Sequence, residues 1–380
     1  MIIYLTHNDA PGGVYRSQVA DVVAHLNGLE HGSPVRLVAL VSLRGYLGQR
    51  RAIRRMCPGA WVLPMVPGVR RWRANGRLLG LLCRILRPQG IVARGPFAAW
   101  MALQQRDRGL VRRVCFDARG AYAAEWEEYR IVDDDRLIAQ AKEAERRALQ
   151  ECDLSLAVSH ALVEWWQERY GPVLAPHVVV PCTLPRENPA PPLTYVAART
   201  KWGYGPADVV LVYAGSLAGW QSLAALNTLL APLLEQQPAV KLLFLSRPDP
   251  VIEALATRFS GRVQRIWTGP EEVPALLAAC DHGLLLREPS ITNRVASPVK
   301  FAEYLHAGLP LLISPQIGDC SALVQQEQAG AVWAPGATLP RLLPTDPATR
   351  RRMRALAGAQ FSKSAHDAQY RKLLEALIAP

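Results

Sequence analysis

Short apolar runs rich in β-forming residues alternate with longer helical patterns, and this alternation constrains the fold most strongly. The first half of the chain predicts strands at 2–6, 36–42, 61–66, 90–93, 113–117, 154–158 and 177–180. Helical patterns lie between them, as at 14–27 and 136–151. Strands that alternate with helices form βαβ units, which build parallel sheets covered by helices. The pattern therefore predicts an α/β fold.

The same pattern starts again after a proline-rich segment. Residues 181–193 contain five prolines and no periodicity, which is typical of a linker between domains. The second half predicts strands at 208–214, 240–245, 263–267, 283–286, 311–314 and 331–333, and helices near 221–235, 249–258, 271–279, 298–307, 319–328 and 346–379. We therefore expect two domains and a ligand cleft between them, at the carboxyl ends of the strands.

Several classes of protein are excluded by what the sequence lacks. It has no window of about 20 apolar residues that would predict a membrane span, and its first residues have no basic segment typical of a secretory signal. Seven cysteines, widely spaced and without a CxxC pair, argue against a disulfide framework and favour a cytoplasmic protein. The GxSxG, HExxH and P-loop motifs are absent, which argues against serine hydrolases, zinc proteases and ATPases.

Positive charge is concentrated in the first half. The net charge is +12, and no acidic residue lies between Glu30 and Asp107, whereas Arg36 through Arg87 supply twelve arginines. Within 68–77 a tryptophan stands among four arginines. This segment, 44–87, favours an anionic membrane surface, which would place the protein at the inner face of the cytoplasmic membrane. RNA phosphates or a plain solvated face are the alternatives.

The segment 297–310, SPVKFAEYLHAGLP, is the most informative for chemistry. It predicts a helix over 298–307, with Ser297 as N-cap and Pro298 at the first helical position. Ser297, Lys300 and Glu303 then share one face. The helix start and Lys300 suit a diphosphate, and Glu303 suits paired ribose hydroxyls. A capped core helix with a solvated Lys and Glu explains the spacing equally well.

A family resemblance favours the nucleotide interpretation. SPVKFAEYLHAGLPLLISPQIGD resembles the donor-binding segment of family 4 glycosyltransferases, which have the GT-B fold. VYAGSLAGWQSL, CDHGLLLRE and the opening THNDAPGGVYRSQV resemble further segments of that family. The resemblance implies two Rossmann-like domains facing across a cleft. Residues 1–185 would form the acceptor domain and 193–358 the donor domain, and 359–380 would cross back to the first.

The activity that the resemblance implies is transfer of a sugar from a UDP- or GDP-linked donor to a hydroxyl, with retention of configuration. The acceptor would be a lipid-linked or cell-envelope glycan, and neither a metal nor another cofactor is expected. Lys300, the amides after Ser297, and Arg287 would stabilise charge on the departing diphosphate. The remaining donor-binding candidates are Gly13, Ser216, Asn293, Arg294, Pro298 and Glu303.

The chain departs from the family pattern at two places. Many members carry two glutamates eight positions apart in the donor segment, whereas here Val295 occupies the place of the first and Glu303 is the second. Many members also carry an Arg and a Lys in the loop after the first donor-domain strand, where this chain has 216–221, SLAGWQ. Arg287, Asn293 and Arg294 are the candidates to replace the lost contacts.

The first domain offers candidates of its own at strand ends. Asp117 and Arg119 follow a predicted strand, where ligand groups cluster in α/β sheets; an ion pair at a turn is the alternative. Asp117 is a catalytic candidate, and His7, Gly12, Arg16 and Arg119 are candidates for acceptor binding. The acidic run 133–135 is interpreted as a helix start in preference to a metal site.

Two rival functions remain open from the sequence. One is a catalytically inactive scaffold of the same fold that docks on membranes or RNA through its basic segment. The other is a nucleotide-sugar epimerase of the same fold, which needs no acceptor.

Overall fold

The computed structural model describes residues 1–30, 32–172, 175–187, 193–215, 223–269 and 271–379. The chain divides into two compact units, Met1–Arg186 with Ser362–Pro380, and Glu187–Phe361. Each unit contains one parallel sheet with helices around it, which confirms the predicted α/β class. Every predicted strand is present, with its ends displaced by at most two residues.

In the first unit, the described residues form seven parallel strands in the order β3-β2-β1-β4-β5-β6-β7. The strands are β1 Ile2–His7, β2 Val35–Val41, β3 Trp61–Pro64, β4 Gly90–Arg94, β5 Arg113–Asp117, β6 Leu154–Ala157 and β7 His177–Val179. Its helices are α1 Gly13–Tyr15, α2 Asp21–Gly28, α3 Tyr46–Met56, α4 Asn75–Leu86, α5 Pro96–Asp107, α6 Tyr122–Tyr129, α7 Asp135–Glu151 and α8 His160–Tyr170. The predicted helix over 14–27 is interrupted by a π-helical turn at 16–20.

The order of the strands reverses between β1 and β4, and this reversal decides which helices share a face. Crossovers between parallel strands are right-handed, so helices that precede and follow a reversal cover opposite faces. Accordingly α3 packs on β2 and β3, whereas α4 packs on α5. Helices α3 and α4 of the arginine-rich segment 44–87, which was expected to meet a membrane surface, therefore cover different faces of the sheet.

Trp72 departs further from that expectation. Its side chain is 0% exposed and stacks on Phe97, with ring centroids 4.3 Å apart. Its indole Nε1 donates to Gln140 Oε1 at 2.7 Å. Trp72 is therefore a core residue and not part of a membrane-facing cluster, because its hydrogen-bond partner and its stacking partner both lie inside the unit.

In the second unit, the described residues form six parallel strands in the order β10-β9-β8-β11-β12-β13. The strands are β8 Val209–Ala214, β9 Val240–Leu245, β10 Val263–Ile266, β11 His282–Leu285, β12 Leu311–Ile313 and β13 Gly330–Val332. Its helices are α9 Tyr195–Trp202, α10 Leu223–Gln236, α11 Pro250–Arg258, α12 Val273–Ala278, α13 Ile291–Arg294, α14 Val299–Ala307, α15 Cys320–Gln326 and α16 Pro347–Phe361. The order reverses between β8 and β11, the kind of position where ligands bind in open α/β sheets.

The last helix, α17 Asp367–Ile378, belongs to the first unit. Its apolar face joins the core formed by β1, α2 and β2, through Tyr370, Leu373, Leu374 and Leu377. Just before it, Lys363 Nζ donates to Thr183 Oγ1 at 3.0 Å and to Leu184 O at 2.7 Å. The first part of the proline-rich segment is thus buried in the first unit, since Thr183 is 0% exposed.

Candidate functional site

Helix α14 starts at the carboxyl edge of the second sheet because its Tyr304 packs flat on β11. A Cβ on Gly283 would lie 2.5 Å from the Tyr304 ring, so only glycine admits this contact. The Tyr304 hydroxyl then accepts a hydrogen bond from the Ala214 amide, at the end of β8, at 2.8 Å. This packing fixes the helix start beside the carboxyl ends of the central strands, where α/β sheets bind ligands.

The helix begins one residue later than the sequence suggested. Pro298 is the N-cap, with φ −70° and ψ 124°, and Val299 is the first helical residue. The prediction that Ser297 caps the helix and Pro298 opens it is therefore wrong. Proline at the N-cap keeps its carbonyl in the helix, where it accepts from the Phe301 amide at 3.0 Å. Ser297, Val299 and Lys300 are only half-buried, so this first turn is accessible from solvent.

Lys300 and Glu303 form an ion pair on the face predicted to hold the donor. Lys300 Nζ lies 2.6 Å from Glu303 Oε2, and the two side chains are 34% and 29% exposed. Each group is close enough to solvent to exchange its partner for a ligand. The pair therefore presents an ammonium and a carboxylate one turn apart at the accessible end of α14.

The loop before α14 is held by its own side chains. Arg287 Nη1 donates to Asn293 Oδ1 at 3.1 Å, and Asn293 Nδ2 donates to Glu288 O at 3.0 Å. Asn293 is 1% exposed, so its amide braces the loop from inside, whereas Arg287 and Arg294 are half-buried. A Cβ on Gly318 would lie 1.9 Å from Ala296 O, so glycine lets the next loop press against this one.

The chain departs from the family pattern at Val295 and at 216–221, and the structure describes only the first of these. Val295 is 0% exposed, so an apolar core residue stands where many family members carry a glutamate. Ser216 and the rest of 216–221 lie outside the described residues.

The sequence analysis missed an aromatic side chain at the same sheet edge. Trp267 follows β10 and is 59% exposed, which is unusual for so large an apolar group. The Arg247 guanidinium, after β9, lies 5.4 Å from the centroid of the Trp267 ring. The only sequence signal was the position of both residues at strand ends. Together they offer a flat, cation-flanked surface at the carboxyl ends of β9 and β10.

In the first unit, side chains at the carboxyl ends of β1, β4 and β5 form a buried charged cluster. Asp117 is fully buried and accepts a hydrogen bond from the Tyr4 hydroxyl. Its two carboxylate oxygens lie 3.5 Å from Arg94 Nη1 and 3.5 Å from Arg119 Nη1. Arg94 Nε in turn lies 3.6 Å from Asp9 Oδ2. Arg94 and Asp9 had not been predicted as a pair.

A cavity of about 370 Å³ lies against this cluster, and His7, Asp9, Arg94, Phe97, Tyr122, Glu125 and Trp126 are among the residues that line it. His7 is 9% exposed, and its Nε2 has no hydrogen-bond partner among the described residues. Burial lowers the pKa of His7 to about 4, so the ring is neutral near pH 7. A buried polar atom without a partner is costly, which suggests that a ligand hydroxyl completes this site.

The cluster contains two residues that were predicted from the sequence as functional, Asp117 and Arg119. Asp117 is fully buried between its two arginines and is not among the residues that line the cavity. Arg119 also points inward, since its Nη2 donates to Gln18 Oε1 at 2.8 Å. Both residues therefore lie behind the residues that line the cavity, and their predicted roles in catalysis and acceptor binding stay predictions.

Gly12, Gly13 and Arg16 lie exposed in the turn after β1. A Cβ on either glycine would meet no atom within 4 Å, so the first unit itself does not demand glycine there. Their predicted closeness to a ligand stays a prediction. The acidic run 133–135 is a helix start as predicted, because the Asp134 side chain caps α7 by accepting from the Leu137 amide.

Comparison with known proteins places the fold. No family model matches the chain, and no curated protein matches it either. Among solved structures, HepE of Anabaena in complex with UDP is similar, with a TM-score of 0.72, 14% identity and 99% of each chain covered. Sucrose-phosphate synthase of Thermosynechococcus elongatus has a TM-score of 0.66 at 16% identity, covering 100% of this chain and 99% of its own.

WaaG, a glycosyltransferase involved in lipopolysaccharide biosynthesis, is similar with a TM-score of 0.60, 15% identity and 100% of both chains covered. These neighbours are GT-B glycosyltransferases, so the chain has a fold of that type, and the resemblance seen in the sequence is confirmed at the level of the fold. At identities this low, the likeness extends to the fold alone.

Proposed function

We propose that the protein transfers a sugar from a nucleoside diphosphate sugar to a hydroxyl group. The observation that carries the proposal is the accessible Lys300–Glu303 pair at the start of α14, at the carboxyl edge of the second sheet. Support also comes from solved neighbours of this fold, since HepE was crystallised with UDP and with UDP-glucose. The shape of the pocket determines which donor is bound, that is, whether the nucleotide is UDP or GDP and which sugar it carries.

In the proposed reaction, the bond between the anomeric carbon and the diphosphate oxygen breaks, and the acceptor hydroxyl forms the new bond and loses its proton. Negative charge builds on the departing diphosphate, so cations and amides placed there in advance lower the barrier. Lys300 and the first amides of α14 supply them, and Arg287 stands on the preceding loop. Glu303 would bind the ribose hydroxyls once Lys300 turns to the phosphate.

The base of the donor would stack on Trp267. Stacking of a base on an aromatic ring is worth about 1–3 kcal/mol, and an adjacent guanidinium adds to it. Trp267 and Arg247 stand at the ends of neighbouring strands, so they form one surface. This surface accounts for a large apolar side chain left in water.

The acceptor would occupy the cavity of the first unit. His7 offers an unpartnered ring nitrogen, Asp9 and Glu125 offer carboxylates, and Trp126 offers an aromatic face. Polar groups beside aromatic faces suit a sugar, which has hydroxyls at its edges and an apolar face. Burial raises the pKa of Asp9, which suits a carboxyl group that exchanges protons with a hydroxyl.

A membrane-linked acceptor is proposed from helix α3. One face of α3 lines a shallow groove of about 420 Å³. The residues that line it recur at helical spacing and are Leu47, Arg50, Arg51, Arg54 and Arg55. Leu47 is 74% exposed, so an apolar side chain accompanies four like charges. In the described part of the chain no helix has both the length and the apolarity to cross a bilayer. Contact along the surface of an anionic leaflet, with α3 against the headgroups, fits these features.

The decisive experiment offers the protein a panel of UDP- and GDP-sugars with lipid-linked and soluble glycan acceptors. We expect one donor to release its nucleotide faster when an acceptor is present. Lys300→Ala is expected to lower turnover by about 10²–10³-fold, while far-UV circular dichroism stays unchanged. EDTA is expected to have no effect, because no metal takes part in the proposal.

Each rival gives a different result in the same assay. An epimerase would convert the donor sugar without an acceptor and would release no acceptor-dependent nucleotide. An inactive scaffold would show no thermal stabilisation by millimolar UDP or GDP and only salt-sensitive binding to vesicles or RNA. Unchanged turnover in Lys300→Ala would refute the role of the α14 start.

A further inference from the structure

A second cavity lies at the amino edge of the first sheet, away from every residue placed in the proposed reaction. It has a volume of about 560 Å³ and opens between the ends of α4 and α5. Three arginines, Arg84, Arg87 and Arg112, line it, and we call them the arginine triad. Cys83 and Val111 are buried beneath them and give the cavity an apolar floor.

Among the described residues, no carboxylate neutralises the positive charge of the triad. No carboxylate lines the cavity, and within the described ranges no Asp or Glu oxygen lies within 4 Å of the triad. Neighbouring arginines are treated differently: Arg113 lies 2.9 Å from Asp153 Oδ1, and Arg147 lies 2.7 Å from Asp107 Oδ2. Three like charges around one concavity raise its potential and attract an anion.

The backbone conformation of Arg87 also supports a ligand site at this cavity. Arg87 has φ 46°, the left-handed conformation that follows a helix end and favours glycine. The chain carries an arginine there despite the conformational cost, and that arginine lines the cavity. Strained positions of this kind concentrate at ligand sites.

We propose that this cavity binds a small soluble molecule that carries a diphosphate. Guanidinium groups pair with phosphate oxygens in a bidentate manner, so three of them match the several oxygens and charges of a diphosphate. The apolar floor accommodates a carbon portion, and the volume lies within the usual range for ligand pockets, about 300–1,000 Å³.

The triad cavity is separate from the acceptor cavity, and the two lie at opposite ends of β4. Gln89 lines the new cavity just before β4, and Arg94 ends β4 at the acceptor cavity. At about 3.3 Å per residue, five residues of strand separate them by roughly 16 Å. A ligand in the triad cavity therefore lies next to the amino end of β4, the strand that carries Arg94. It leaves the acceptor cavity open.

The test is calorimetric titration of the full-length protein with inorganic pyrophosphate at physiological salt in the Lys300→Ala background, which weakens the proposed donor site without adding a second diphosphate such as UDP. We expect R84Q/R87Q/R112Q to weaken pyrophosphate binding by at least about 30-fold, because the variant loses the three guanidinium groups that donate charged hydrogen bonds to phosphate oxygens. If the protein proves not to bind UDP, pyrophosphate should still bind to the wild type and not to this variant. Failure of the proposed glycosyl transfer therefore leaves this inference testable.

The matched control is R51Q/R54Q/R55Q on α3, which removes the same charge from an equally dense cluster. It should keep pyrophosphate affinity within about twofold and lose binding to vesicles containing phosphatidylglycerol, whereas the triad variant should keep vesicle binding. This reciprocal result also separates a soluble diphosphate from a lipid headgroup as the ligand. Equal loss of pyrophosphate in both variants would overturn the site as general surface charge.

The alternative role of the triad is to complement the carboxyl end of the α4 dipole without binding a ligand, and the same variants distinguish the two roles. In the alternative case R84Q/R87Q/R112Q would lower the melting temperature and leave pyrophosphate affinity unchanged, and the proposed site would be refuted. Retention of UDP-induced stabilisation in the variant verifies that it is folded.

Discussion

Each unit contains one fully buried aspartate between two arginines, and the two clusters differ in how completely they are closed. In the second unit, Asp281 lies 2.8 Å from Arg199 Nη1 and 3.2 Å from Arg350 Nη2. It also accepts from the Tyr195 hydroxyl at 2.7 Å and from the Val210 amide at 2.8 Å. Asp281 stands before β11, at the amino edge of the sheet, and its lone pairs are taken up by the protein.

In the first unit, Asp117 stands at the carboxyl edge and is 3.5 Å from each of its two arginines. A cavity adjoins this cluster, and His7 Nε2 beside it has no partner in the described part of the chain. The difference teaches that the same three charges serve two purposes. On the proposed function, the closed cluster stabilises its unit, whereas the open one would hold Arg94 in place for a ligand.

The largest expected effect is on the closed cluster. Asp281→Asn leaves two buried guanidinium groups without a carboxylate, so the free energy of unfolding should fall by about 3–5 kcal/mol. Urea denaturation measures the loss. The control is Glu235→Gln, which breaks an exposed pair with Arg258 and should cost less than about 1 kcal/mol. Similar losses in the two variants would mean that the Asp281 cluster is not a stabilising unit.

His7, beside the open cluster, should make the free energy of unfolding depend on pH. His7 titrates at about pH 4 in the folded state because of burial, and near 6.5 when unfolded. Between these values the unfolded chain binds more protons, so stability is fully present above pH 6.5 and falls toward pH 4, by about 3 kcal/mol. His7→Gln should flatten this slope in urea titrations; an unchanged slope would show that His7 is not buried neutral.

A smaller effect, on turnover, separates positioning from packing at Asp117. Asp117→Asn should lower kcat by about 100-fold, because a displacement of about 1 Å of a positioned group is enough for that. It should raise KM for the acceptor and leave KM for the donor unchanged. Its cost in stability should be lower than that of Asp281→Asn, since Arg94 keeps Asp9. A stability loss with normal kinetics would make the two clusters equivalent.

The smallest effect concerns the donor base. Trp267→Ala should weaken UDP binding by about 1–3 kcal/mol, or roughly 5–160-fold, through loss of stacking. The side chain is largely exposed, so stability should not change. Calorimetry gives the affinity, and Trp267→Phe is the control that should retain most of it. Equal weakening by Phe and Ala would point to the indole edge in place of the ring face.

The strands and the position of α14 were predictable because their signals are local. Apolar runs bounded by turn residues mark each strand, and Gly308 with Pro310 marks the end of α14, where Gly308 adopts φ 86°. The start of α14 was misplaced by one residue because serine before proline suggests a cap, whereas proline itself can occupy that position.

The clusters were not predictable, because their partners are distant in the sequence. Arg199 is 82 residues from Asp281, and Tyr4 is 113 residues from Asp117. Trp72 was misinterpreted for a related reason: its neighbours in sequence are arginines, but its neighbours in space are Phe97 and Gln140. Periodicity reports what lies next along the chain, and burial depends on what the topology brings together.

The return of α17 to the first unit has a consequence for biosynthesis. Leu373, Leu374 and Leu377 complete the core around β1 and α2, yet they are translated only after the whole of the second unit. At about 5–20 residues per second, the ribosome needs roughly 10–40 s to pass from Arg186 to the final helix. During that interval residues 1–186 lack their covering helix, so the first unit is completed only after the second unit has been translated.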